Sequence, residues 1–337
     1  MQNSLNIYIH KIRIFKRPKC NLDQMPNCIA FHSYKGGTGK TTIGANFAAL
    51  LAKKGYRVFL LDLDVYAPSL QTYFNEKKPK KWINDFLFGN ADVDDILMDL
   101  TPSLRDYENS NSSSSSSTDK PNGKLMAGFS NSKREEIYKL ESGGKQENSK
   151  MQLLRKFILL REQLLSTHDA DYIVIDTSPG IRYWSINALA VADILFLTLK
   201  MDELDIEGTK TIAQEIYSSF TRHGTKSYLL LNRVAGYCVP HTLSQNESME
   251  KAAYGNSLTN TQNTGSSSTM QMSKQQDQSD IINMLSKEIK MDVISSIPCY
   301  CDIQFNKREF LTVLEYPHHP FAHKINSIIE DLEAAKS

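Results

Sequence analysis

Short apolar runs alternate with segments of helical spacing along most of this chain. Cys28–His32, Arg57–Asp62, Lys124–Phe129, Tyr172–Asp176, Ile194–Leu199, Ser227–Leu231 and Asp292–Ile297 read as strands. Val58-Phe59-Leu60-Leu61 and Tyr172-Ile173-Val174-Ile175 are apolar at every position, the pattern of parallel strands covered on both faces. Helical spacing falls between them at Lys40–Lys54, Met151–Ser166, Ser185–Val191, Asp205–Phe220 and Ile281–Lys290, and again at Phe321–Ala335. This alternation predicts one doubly wound α/β domain over residues 25–335, a mostly parallel sheet with helices on both faces. Ligands of such sheets bind at the carboxyl ends of the strands.

Two polar stretches interrupt the alternation. Residues 107–122 contain the run Ser112 to Ser117, and residues 244–280 are rich in Gln, Ser, Asn and Thr. Neither has enough apolar surface to offset the entropy of ordering, so both are expected to be flexible surface insertions, with a third soft spot at Ser142 to Ser149. Residues 1–24 are expected to be an appendage, either a short basic strand or an over-extended gene start. The chain has 337 residues and a formal net charge of +1, which argues for neither nucleic acid nor an anionic membrane as a default partner. No apolar run reaches the ~18 residues of a membrane span. Five cysteines without a framework spacing suggest a reducing cytoplasm.

The chemistry is concentrated at Ser33-Tyr-Lys-Gly-Gly-Thr-Gly-Lys-Thr-Thr42, between the first strand and the first helix. Gly36, Gly37 and Gly39 let the backbone turn its N–H groups inward, with Thr38 between them, and the helix N-terminus adds its dipole. Such a loop cradles a phosphate chain. Lys40 would reach the β- and γ-phosphates, Thr41 would ligate Mg²⁺, and Thr42 completes the loop. A strict P-loop asks for glycine five residues before Gly39, and that residue is Tyr34. The second strand ends Asp62-Leu63-Asp64, two acids on one face of an extended segment. Asp62 is expected near the Mg²⁺ shell and the loop threonine, and Asp64 is the candidate to orient the attacking water. The run Tyr172–Ile175 followed by Asp176 has the form of a strand that presents its carboxylate to Mg²⁺.

The form Lys-Gly-Gly-x-Gly-Lys-Thr-Thr, with its extra lysine at Lys35, resembles the deviant loop of the MinD/ParA family of P-loop ATPases. That resemblance implies ATP and Mg²⁺ as ligands and a slow, partner-stimulated ATPase. It also implies an ATP-dependent homodimer in which Lys35 crosses to the partner's nucleotide. It supports Asp64 in hydrolysis, Thr177–Gly180 as a loop that senses the γ-phosphate, and Asn232 and Pro298 as residues flanking adenine. Asp64-Val-Tyr-Ala-Pro-Ser69 is similar to a segment of Mrp-type iron–sulfur carriers, the alternative reading. Those carriers need a two-residue cysteine spacing that neither Cys238-Val-Pro-His241 nor Cys299-Tyr-Cys301 provides. A nucleotide-binding regulator without catalysis is the other alternative. The final helix carries an apolar stripe expected to pack on the parent sheet rather than enter a membrane. Lys77-Lys-Pro-Lys-Lys81 is the nearest basic run for DNA contact. The activator or cargo is not identified by the sequence.

Overall fold

The computed structural model describes residues 28–74, 78–104, 123–143, 147–221, 224–234, 280, 282–304 and 306–334. The appendage at residues 1–24, the insertion at 107–122 and nearly all of that at 244–280 lie outside the described residues, as does Cys238.

Eight strands form one sheet: β1 Cys28–His32, β2 Arg57–Leu63, β3 Met98–Asp99, β4 Lys124–Gly128, β5 Tyr172–Thr177, β6 Ile194–Leu199, β7 Lys226–Val234 and β8 Val293–Pro298. Their order is β3-β4-β2-β5-β1-β6-β7-β8. All pairs are parallel except β3 with β4, a two-residue antiparallel edge too short to leave a periodic signal in the sequence. The chain winds outward from β1 in both directions. The carboxyl end of β1 therefore faces the ends of β5 and β2 on one side and of β6, β7 and β8 on the other.

Strand side chains alternate between two apolar layers. Ile173 and Ile175 face one layer with Phe59 and Leu61, where α2 (Glu147–Ser166) and α3 (Tyr183–Ala190) bury Leu154, Phe157, Trp184 and Leu189. Tyr172 and Val174 face the other with Val58 and Leu60. The helix after β1, here α1 (Lys40–Lys53), buries Ile43, Phe47 and Leu51 in that second layer. On the first layer, β6 is followed by α4 (Glu203–Ile212). This helix continues through a π-helical turn, Ala213–Tyr217, into Ser218–Thr221. The expected helix Asp205–Phe220 is thus three consecutive pieces starting two residues earlier, at Glu203, and the Asp202 carboxylate caps it by accepting from Asp205 N.

The chain closes with α5 (Thr312–Glu315) and α6 (Pro320–Ala334). The stripe Phe321, Ile325, Ile328, Ile329 and Leu332 is buried with α1 in the second layer, so the final helix covers the sheet. Each such side chain contributes roughly 1.5–3 kcal/mol of burial. Residues 142, 143 and 147–149, expected to be soft, belong to helices Arg134–Gly143 and α2. Leu140 anchors the first of these in the core, a single apolar contact that the polar composition concealed.

Candidate functional site

The register of the central strands sets the acids. Asp62 of β2 is the lateral neighbour of Asp176 of β5, which is in turn the neighbour of Phe31 of β1. Both carboxylates are buried at strand ends, directly under the glycine-rich loop. Gly37 (φ 73°) and Gly39 (φ 89°) take the left-handed backbone that the turn needs. A Cβ on Gly39 would overlap Asn232 Nδ2, so this position excludes side chains twice over.

Thr41 Oγ1 donates to Asp176 Oδ2 at 2.6 Å. The loop threonine therefore meets Asp176, and not Asp62 as its sequence position suggests. Asp62 Oδ1 instead accepts from Asp64 N at 3.0 Å. The remaining oxygens, Asp62 Oδ2 and Asp176 Oδ1, are buried without a hydrogen-bond donor. Bare anionic oxygens of this kind carry a full desolvation penalty. Burial pushes the Asp176 carboxyl up to about 6, with Lys40 and the Thr41 hydroxyl opposing. Burial, with Asp176 alongside, likewise raises Asp62 well above the usual carboxylate range.

Two orphan carboxylate oxygens and a threonine hydroxyl are hard oxygen donors that suit Mg²⁺. Among the described residues no group of three His, Cys, Asp or Glu side chains could hold a metal ion by itself.

Lys40 is buried, and its Nζ donates to Ser33 Oγ at 2.9 Å. Burial lowers its pKa, while Asp176, Asp64 and Asp205 pull it back up. Asp64 sits just past the end of β2, where its Oδ1 accepts from Ser178 Oγ (2.8 Å), Tyr66 N (3.2 Å) and Ala67 N (3.2 Å). Asp64 is thereby tied to the loop after β5. That loop is held to the glycine-rich turn by Gly180 N donating to Ser33 O at 2.9 Å. Gly180 has φ 79°, open to glycine.

His32 lies beneath this loop, with Nδ1 2.7 Å from Thr177 Oγ1 and its ring stacked on Tyr217 at 6.2 Å. Burial and the charge of Lys40 push its pKa down to about 3, so it is neutral. Sequence reading passed over His32, because an isolated polar residue at a strand end carries no periodic signal.

Lys35 Nζ lies 3.5 Å from Asp202 Oδ1 of the same chain, and both side chains are substantially exposed. Such a pair contributes about 0–1 kcal/mol and releases easily. The Tyr34 ring rests against Gly208 of α4, where a Cβ would collide with it.

Asn232 and Pro298 were expected just after their strands. Each lies within one instead, because β7 and β8 run on to Val234 and Pro298. Asn232 Nδ2 donates to Thr38 O at 2.7 Å, fixing the amide against the loop. Asn232 and Pro298 line one cleft of ≈ 80 Å³ with Gly39, Thr42, Tyr300 and Ile303. Cys299 Sγ is engaged by Gln304 Oε1 at 3.0 Å on the rim of this cleft. Asn46, buried in α1, donates to Thr42 O (2.8 Å) and accepts from Val313 N (3.0 Å). It thus pins the C-terminal segment over the loop.

The flagellum site-determining protein YlxH of Helicobacter pylori is 30% identical over 222 residues, which is 65% of this chain and 63% of that protein. An iron–sulfur cluster carrier protein of Aquifex aeolicus is 48% identical over 58 residues, 17% of this chain and 16% of that protein. The matched region thus spans less than two thirds of either relative. The structure of the septum site-determining protein MinD with Mg-ADP from Pyrococcus horikoshii superposes with a TM-score of 0.58 at 16% identity. It covers 93% of this chain and 99% of that one, and so shares the fold. Residues 29–262 match the CobQ/CobB/MinD/ParA nucleotide-binding domain (CbiA). This chain belongs to that MinD/ParA-type nucleotide-binding family.

Proposed function

We propose that this protein is an ATP-hydrolysing switch whose ATP-bound state is a homodimer that positions or partitions a protein partner. The observation that carries the reading is the meeting of the glycine-rich loop with two buried, under-bonded carboxylates through the Thr41 hydroxyl.

Each residue then has a task set by its surroundings. The loop amides from Gly36 to Thr42 bind the phosphates, and the buried ammonium of Lys40 neutralises charge that grows on the γ-phosphoryl oxygens. Thr41, Asp62 and Asp176 would hold Mg²⁺, which would supply Lewis-acid stabilisation of phosphate charge. Asp64, fixed by Ser178, orients water for attack on the γ-phosphoryl. Thr177–Gly180 couples that attack to the loop, because Gly180 and Ser178 are both hydrogen-bonded to the site. Lys35 leaves Asp202 to reach the nucleotide of a second copy, which links dimerisation to the nucleotide state. Asn232 and Pro298 flank the base. The likeness to a site-determining protein of Helicobacter pylori supports positioning as the output.

Titrating a fluorescent ATP analogue into wild-type protein and Lys40→Ala tests the core of the proposal. The variant should bind at least about 100-fold more weakly, since about 3 kcal/mol of charge-assisted hydrogen bonding is removed from a buried site. Equal affinities would show that the loop does not hold a phosphate chain.

A further inference from the structure

We propose that Glu309 recognises the ribose hydroxyls of the bound nucleotide. The inference rests on the nucleotide reading above and concerns a residue just before α5, outside every motif in the sequence.

One cleft beside the loop is lined by Gly39 and Thr42 together with Asn232, Pro298 and Ile303. Phosphates on the loop and a base between Asn232 and Pro298 require the sugar to lie in this same cleft. The sugar's free polar groups are two hydroxyls, and both can donate. Glu309 is the sole carboxylate among the residues that line the cleft. A carboxylate accepts through about four lone-pair positions, so it can take both donors of a vicinal diol, whereas the adenine edge sets ring-nitrogen acceptors, which a carboxylate cannot satisfy, beside its one amino donor.

Glu309 is exposed and lies near Tyr73, a buried phenol whose hydroxyl is 2.8 Å from Thr42 Oγ1. The backbone is anchored four residues later, where Val313 N donates to Asn46. The neighbouring cation, Arg308, turns to Glu315 at 3.0 Å.

Full-length protein with Mg²⁺ should be titrated with ATP, 2′-deoxy-ATP, 3′-deoxy-ATP and GTP. Wild type should bind at least one deoxy analogue about tenfold more weakly than ATP, the value of one hydrogen bond to a charged group. Glu309→Ala should lower ATP affinity to that of the deoxy analogue, bringing the ratio within about twofold. Glu309→Gln, whose amide oxygen still accepts, should retain an intermediate ratio. The side chain is exposed, so the variants should unfold at the wild-type temperature. Equal losses for ATP and both deoxy analogues in Glu309→Ala would overturn the assignment. So would a changed ATP-to-GTP preference at a constant deoxy ratio, which would mean that Glu309 reads the base. Wild-type protein that binds none of the four nucleotides would instead remove the reading on which the inference rests.

Discussion

Asp176→Asn should stabilise the nucleotide-free protein while abolishing its response to magnesium nucleotide. Burial holds the Asp176 carboxyl at about 6, against an ordinary 3.8. A folded pKa raised above the unfolded one means that the native state binds this proton more tightly. Its contribution is complete at acid pH and is lost as pH rises from about 4 through 6. The difference of about 2 pH units makes the ionised form about 3 kcal/mol costly at pH 7.5. Asparagine has no charge to desolvate and keeps an oxygen for Thr41. Lys40 loses one of its counter-charges and Asp62 becomes freer to ionise, and both offset part of the gain. The net effect should be about 1–2 kcal/mol, or about 2–4 °C in Tm for a domain of this size. Thermal unfolding of both proteins at pH 7.5 and pH 5, without nucleotide, measures it as a difference of differences. Mg²⁺ with ADP should then raise the Tm of wild type and leave the variant unmoved. A variant no more stable than wild type at pH 7.5, or one with the same advantage at pH 5, would refute the claim that a buried charge strains the empty site.

The neutral His32 predicts the opposite slope. Its folded pKa is depressed to about 3, so stability falls as pH drops below 6.5, by up to about 1.4 kcal/mol per pH unit. His32→Asn should flatten that acid limb in urea titrations between pH 7 and pH 5, and an unchanged limb would count against it. Gly39→Ala must leave a left-handed backbone and displace the Asn232 amide, so ATP affinity should fall about 100-fold or more by fluorescence titration. Near-wild-type affinity would show that the loop tolerates a side chain there. Lys35→Ala should bind ATP normally yet sediment as a monomer with a non-hydrolysable analogue that makes wild type dimerise. Mixing it with Asp64→Ala should restore some ATPase, because one site then has an intact Asp64 and a Lys35 from the other subunit. Wild type that stays monomeric yet hydrolyses ATP would exclude action across a dimer. Anaerobic reconstitution with iron and sulfide should yield no stable cluster, and a stoichiometric cluster lost on changing Cys299 or Cys301 would favour the carrier reading.

The parts of the site legible from sequence were those encoded by local pattern. The loop from Gly36 to Thr42, and acids that directly follow apolar strands, are sequential features, so Lys40, Asp62, Asp64 and Asp176 could be named in advance. Their grouping needed only the strand order, which places β2, β5 and β1 side by side. Pairing partners were harder, because they depend on register. The Thr41 hydroxyl reaches Asp176 rather than Asp62 since β5, not β2, is adjacent to β1. Asn46, Tyr73 and Glu309 were invisible for a different reason. They join the loop to a segment more than 200 residues away, and nothing in a local window links position 46 to 313. The edge strand β3 and the π-helical turn at Ala213–Tyr217 are too short for periodicity to detect.

These observations together describe a site whose charged groups are only partly compensated by the protein itself. Two carboxylates with bare oxygens, a desolvated lysine and an uncharged histidine converge on three adjacent strand ends. Each costs free energy that a packed apolar residue would not. A triphosphate with its cation would relieve the carboxylates and the lysine at once, so ligand binding does more than add contacts. The relief falls on the elements tied to those groups. Asp64 holds Ser178, Gly180 holds Ser33, and Ser33 Oγ accepts from Lys40. A change in charge at the γ-phosphate position is therefore felt along Ser33–Lys35 and Thr177–Gly180 without any long-range path. The first segment carries the exposed Tyr34 and the weakly held Lys35, which reaches Asp202 at the start of α4, and the exposed Ile181 follows the second. A surface whose shape depends on one phosphate is the physical requirement for a switch that a second copy can read.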